Sequence, residues 1–145
     1  MLKIVKIPID HPHFAYVRAI RKKVFIEEQK VSVADEYDIY EEVSIHYLLN
    51  NNDVPLAVAR SRKTKEGIKL ERFAVLAEFR GQGFGKKIVE QVINEVQGDN
   101  DKIYLHAQLP VVTFYSKLGF QKVGDVFVEA NIEHYKMVFK PQQSN

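Results

Sequence analysis

The sequence predicts an α/β (α+β) fold, a mixed sheet with helices on its faces. Three observations carry that prediction. Leu2–Ile9 and Ile68–Leu76 carry the alternation of β-strands. Apolar residues recur at helical spacing over Phe14–Gln29 and again through Ile88, Val89, Val92, Ile93 and Val96. Clusters of Asn, Asp, Gly and Pro separate these segments, so the element order reads β-α-(α)-β-β-β-α-β-α-β-β.

In chain order, Leu2, Ile4, Ile7 and Ile9 define a first strand. Asp10 or His11 caps the helix that follows, with Pro12 at its first position. The helical stripe then runs Phe14, Val17, Ala19, Ile20, Val24, Phe25, with charges opposite. Val31–Glu42 is acidic and aperiodic, a loop with a short helix near Ile39–Val43. Ile45–Leu49 and Val54–Ser61 form a hairpin around Asn50–Asp53, whose residues tolerate the left-handed conformation of tight turns. After a turn at Lys65–Gly67, strand Ile68–Leu76 places Leu70, Arg72, Ala74 and Leu76 on one face and Glu71, Phe73 and Val75 on the other. A glycine-rich turn leads into the second helix, which Gly98–Asp101 stops. Lys102–Gln108 is a strand, Pro110 opens a short helix to Leu118, and Gly119 ends it. Strands Phe120–Glu129 and His134–Phe139 turn at Ala130-Asn131, and the polar tail Pro141–Asn145 frays.

Composition narrows the function classes. A chain of 145 residues, 46% apolar and 28% charged, suits one domain over 1–145 and argues against disorder. It contains no cysteine, which removes disulfides, thiolate metal sites and cysteine nucleophiles and fits a reducing, cytoplasmic setting. No apolar run is long enough to span a membrane, and Met1–Asp10 lacks a secretory pattern. A net charge of +2 is too small to make nucleic acid the main partner. No metal is expected.

The informative segment joins strand Ile68–Leu76 to the next helix through Arg80-Gly81-Gln82-Gly83-Phe84-Gly85. A helix N-terminus carries unpaired N–H groups and the positive end of the helix dipole, and glycines let an anion approach the backbone. A diphosphate fits such a turn, with Lys86 and Lys87 adding positive potential. The spacing matches neither the dinucleotide fingerprint nor the P-loop. A turn that merely links strand to helix remains open on glycine content alone.

Arg80–Gly85 resembles the R/Q-x-x-G-x-G/A signature of the GNAT N-acetyltransferase superfamily. Glu71–Val75 is similar to the strand that precedes that signature. Tyr104–Gln108 with Phe114–Phe120 resembles a second family block, in the right order. Arg21–Gln29, Asp35–Asp38 and Glu129–His134 are similar to the bacterial ElaA/YjcF-like branch, whose G-I-P-H stands here as Asn131-Ile132-Glu133-His134. The resemblance implies a GNAT-like mixed, mostly antiparallel central sheet of six to seven strands, flanked by about four helices and splayed between the fourth and fifth strands. It implies acetyl-CoA as donor and direct attack by a primary amine, small-molecule or protein-borne. A non-catalytic acyl-CoA-binding or regulatory module is the alternative. A homodimer is a candidate assembly.

The resemblance also implies roles. Arg80, Gly81, Gln82, Gly83, Phe84, Gly85, Lys86 and Lys117 serve the phosphates. The main chain of Phe73, Ala74 and Val75, with Gln108 and Phe114, serves the pantetheine arm. Tyr115 matches the tyrosine that protonates the departing thiolate. Glu71 stands where some members carry a base, and a raised pKa in an apolar cleft would suit it. His106 and His134 are alternative proton carriers. Glu28 and His134 fall in the segments that mark the branch and are expected at the acceptor site. The acidic run Asp35, Glu36, Asp38, Glu41 and Glu42 either attracts a cationic amine or is simply solvated.

Overall fold

The computed structural model describes residues 1–98 and 101–141. Asp99 and Asn100 of the expected turn, and Gln142–Asn145 of the tail, lie outside the described residues. Strands β1 (Leu2–Lys6), β2 (Ile45–Asn51), β3 (Val54–Thr64), β4 (Gly67–Val75), β5 (Ile103–Gln108), β6 (Phe120–Glu129) and β7 (Ile132–Phe139) form one sheet in the order β1-β2-β3-β4-β5-β7-β6. Neighbours are antiparallel except β4 and β5, which pair in parallel only where Ile68–Leu70 face Ile103–Leu105. Beyond those three pairs the strands part, and this is the splay between the fourth and fifth strands.

A bulge shapes the divergence. Arg60 pairs with Glu71 and Val58 with Ala74, so Arg72 and Phe73 both stand opposite Ala59. Arg72 adopts φ 61°, a left-handed conformation that costs a non-glycine residue about 1 kcal/mol or more. Its guanidinium donates to the carbonyl of Asp35 at 3.1 Å and to Asp38 at 3.2 Å, which holds it there. The extra residue also reverses the facing expected from strict alternation. Leu70 shares the face of Phe73 and Val75, while Ala74 and Leu76 pack on the other side. Glu71, next to Leu70, no longer shares a face with Phe73.

The sheet carries a core on each face. Helices α3 (Phe84–Val96) and α4 (Val112–Lys117) cover Leu49, Ala57, Ile68, Leu70 and Leu105. Helix α1 (Phe14–Arg21) covers Leu48, Val58 and Ala74 through Phe14, Val17 and Ile20. The expected single helix Phe14–Gln29 is two helices end to end, because α1 widens into a π-helix over Lys22–Glu28. Its wider turn closes with Gln29 N–H donating to Val24 O at 3.1 Å and carries Phe25 and Gln29 to the edge of the splay. The helix expected near Ile39–Val43 is absent, and those residues form turns. Asp38 accepts the Tyr40 N–H at 3.0 Å, a local bond that competes with the helical ladder. The short helix lies earlier, as α2 (Val33–Glu36), with Ser32 capping Asp35 N–H at 3.1 Å. Among the described residues no helix is long and apolar enough to cross a membrane.

Candidate functional site

The glycine turn lies at the Val75 end of the splay. Gly81 and Gly83 adopt φ 80° and 85°, and open space surrounds the position a Cβ would take at either. Gly83 starts α3 without any side-chain cap, so the first N–H groups of this 13-residue helix keep no side-chain partner. A Cβ at Gly85 would stand 3.6 Å from the Phe114 ring and 3.8 Å from the Val75 side chain, so the turn lies close against α4 and β4. Phe84 meets Phe79 edge-on at 6.5 Å. Arg80 donates from Nε to Val75 O at 2.9 Å, and its two terminal nitrogens grip the carboxylate of Glu28 at 2.9 and 3.0 Å. Arg80 therefore braces the turn against the π-helix, and Glu28 is its partner. Gln82, Lys86 and Lys117 are exposed.

Between the parted strands lies an open cavity of about 360 Å³. It brings together Glu71, Phe73, Gln108, Tyr115 and His134. Tyr115 is 8% exposed, and its ring lies 6.1 Å from Phe73 and 5.1 Å from Phe114. Burial pushes its phenol well above the ordinary value, so it stays protonated and able to donate. Gln108 donates to the Gln29 side chain at 2.8 Å, a bridge from β5 to the end of the π-helix. His134 donates from Nδ1 to Ile132 O at 2.7 Å, since a carbonyl only accepts. That bond selects the tautomer, leaving Nε2 as the acceptor of the neutral ring. Phe127 stacks on the ring at 5.7 Å and holds its plane.

The wall formed by β3, β4 and α2 is a network of charges. Arg60 is fully buried and donates to Asp38 (2.9 and 2.8 Å), Glu41 (2.7 Å) and Glu71 (3.0 and 2.6 Å). Arg21 binds Glu36 at 2.6 Å and Glu41 at 2.9 Å. The acidic run is thus neither a bare attractant nor merely solvated, because Glu36, Asp38 and Glu41 are consumed by buried arginines. Glu71 corrects the expectation of a raised pKa. Burial alone would raise it, but Arg60, Lys69, Arg72 and Arg62 outweigh burial and hold its carboxyl below the ordinary value.

Four charged cavity residues were given no role from the sequence: Arg62, Lys69, Arg72 and Glu129. Lys69 was visible only as the polar member between Ile68 and Leu70. Glu129 accepts from His106 Nδ1 at 3.2 Å, and that bond, aided by Lys69, holds its carboxyl at about 2 against burial.

Residues 16–141 match the profile of the Acetyltransferase (GNAT) domain. YyaT of Bacillus subtilis (strain 168), an uncharacterized protein by name, is 39% identical over 124 residues, covering 81% of this chain and 82% of its own. YjcF of the same organism, an uncharacterized N-acetyltransferase by name, is 31% identical over 121 residues, covering 82% of this chain and 86% of its own. The crystal structure of Escherichia coli ElaA has the same fold, with a TM-score of 0.84 at 23% identity over 97% of this chain and 100% of that one. The chain belongs to the GNAT superfamily, in the bacterial branch that holds YjcF, and is an acetyltransferase.

Proposed function

We propose that this acetyltransferase, one domain over 1–145, takes acetyl-CoA along the splay and passes the acetyl group to a primary amine by direct attack. The observation that carries the reading is the placement of the glycine turn. An uncapped helix start with two left-handed glycines follows β4, the strand whose Phe73 lines the cleft that contains Tyr115. N–H groups at such a terminus suit a diphosphate, and charge-assisted bonds contribute roughly 1.5–3 kcal/mol each. Gly81–Gly85 with Lys86 serve the phosphates, and Lys117 adds positive potential from the end of α4. Arg80 acts on the turn by bracing it. The backbone of Phe73, Ala74 and Val75, which lies beyond the last β4–β5 pair, serves the pantetheine arm and the thioester carbonyl from its β5 side, with Gln108 and Phe114 beside it.

In the transfer a C–N bond forms and the C–S bond breaks. One proton leaves the amine, and one reaches the departing sulfur. Tyr115 supplies the second. The fixed tautomer of His134 makes its Nε2 the acceptor of the first. Glu71, bonded to Arg60 and Arg62, positions the wall instead of taking a proton.

A calorimetric titration with acetyl-CoA tests the donor site. Gly83→Val puts a β-branched side chain at φ 85° and into the open space above the turn. We expect affinity to fall by at least about tenfold, equal to one lost charge-assisted bond, while the far-UV spectrum is kept. Equal affinity in the variant, or no binding by the wild type, defeats the reading. For His134→Gln, thiol release at neutral pH should fall by roughly 10²-fold and recover as pH approaches the amine's own value of about 10. A deficit that is constant with pH removes His134 as the base.

A further inference from the structure

The far end of the cleft holds two cations that its acids do not match. Lys69 is 8% exposed and lines the cavity, yet its ammonium makes no hydrogen bond among the described residues. Its ion-pair contact there is Glu71 Oε2 at 3.3 Å. The other oxygen of that carboxylate already accepts from Arg60 and from Arg62 Nε. Arg62 spends Nε on Glu71 at 2.7 Å, and its two terminal nitrogens make no hydrogen bond among the described residues. The Tyr40 ring lies 3.8 Å under its guanidinium and fixes the plane. Arg60 pairs with Asp38 and Glu41 besides Glu71, and Arg72 pairs with Glu36 and Asp38, whereas Arg62 and Lys69 share Glu71. Glu129, on the opposite wall, pairs with His106 and lies beyond ion-pair contact with Lys69.

A largely buried ammonium that lines a cavity with donors unspent, beside a stacked guanidinium with two free nitrogens, suits an oxyanion. We propose that the acetyl acceptor is an amine that also carries an oxyanion, a carboxylate or a phosphate, which Arg62 and Lys69 bind at the end of the cleft remote from the glycine turn. This rests on the donor entering from the Val75 end. Lys69 lies four residues from Phe73 along β4, roughly 10–13 Å of bulged strand, part of which the lysine itself spans. Amine and oxyanion are therefore separated by several bonds and do not share one carbon.

The test compares amines of one length: 5-aminopentanoate, 5-aminopentyl phosphate, pentylamine and 1,5-diaminopentane. The oxyanion-bearing amines should exceed pentylamine in kcat/KM by at least about tenfold, the worth of one charge-assisted bond. The better of the two tells carboxylate from phosphate. Lys69→Met and Arg62→Gln should each erase that preference while leaving the pentylamine rate and the acetyl-CoA Kd unchanged. Preference for the diamine, or a preference unaltered in both variants, overturns the proposal. A second readout does not depend on turnover. Glutarate and inorganic phosphate are titrated into the protein saturated with coenzyme A, and at least one should bind the wild type and bind both variants at least about tenfold more weakly. Absence of binding to the wild type, or equal binding by the variants, overturns it as well. Arg62→Gln, at a less buried position, stands in if Lys69→Met fails to fold. Loss of acetyl-CoA binding by the wild type would strike the donor reading, and these anion titrations repeated without coenzyme A would still decide the subsite.

Discussion

Tyr115→Phe should lower kcat by roughly 10²-fold or more while leaving the acetyl-CoA Kd within about twofold. The substitution removes one hydroxyl and keeps the ring that packs among Phe73, Phe114 and Phe120. The fold therefore has little reason to respond. Chemistry should, because the proposed mechanism draws its proton from this phenol, whose ring shares the cavity with that of Phe73 at 6.1 Å. Its raised pKa keeps the proton in place across neutral pH, and transfer accompanies C–S cleavage as negative charge develops on the sulfur. Steady-state thiol release and calorimetric titration, run on the same preparation, separate the two effects. An unchanged kcat would take Tyr115 out of the reaction, and a kcat loss matched by a Kd loss would make it a packing residue.

Arg60→Leu should destabilise the protein by about 3–5 kcal/mol, because it leaves buried carboxylates without their cation. That amounts to a fall in Tm on the order of 10 °C for a chain of this size. Asp38, Glu41 and Glu71 all converge on this fully buried side chain. The exposed pair Lys6–Glu95 at 2.9 Å provides the contrast, and Lys6→Ala should shift stability by less than about 0.5 kcal/mol. Thermal melts of both variants check the pair, and an Arg60→Leu melt as benign as that of Lys6→Ala refutes the network's role. The same arginine sets an acid response. Burial would raise the Asp38 pKa, but bonds and charge from Arg60 prevail and lower it from 3.8 to about 2. A depressed carboxylate stabilises the fold fully above its unfolded value, and that contribution is lost as pH falls through the folded one. Melts of the wild type should therefore weaken between about pH 4 and pH 2, with a smaller change in Arg60→Leu.

The two variants probe parts of the molecule that differ in how far they could be read beforehand. The turn at Arg80–Gly85 was legible because its requirement is local. Left-handed backbone favours glycine, and a helix start supplies N–H groups wherever it occurs. Tyr115 entered through the resemblance of the block around it, and the fold sets it in the cavity. Glu71 was misjudged for a reason no local pattern holds. Its environment is made by Arg60 and Arg62 on β3 and by Lys69 and Arg72 on β4, and strand pairing brings them together. The π-helical widening at Lys22–Glu28 was hidden in the same way, since its apolar spacing still reads as an ordinary helix.

Periodicity, turn residues and a few short motifs, the glycine turn and the block at Phe114–Phe120 among them, were enough to define the strands, the main helices and the likeness to GNAT acetyltransferases, because each is read from neighbours within a few positions. The tertiary structure decided the rest. One residue inserted at Arg72 reversed the facing of β4, and its pairing placed Glu71 among four cations and left Lys69 and Arg62 with donors unspent. Such facts follow from Coulomb and hydrogen-bond energies between segments that are distant in the chain, and those energies take their values only after the strands have paired.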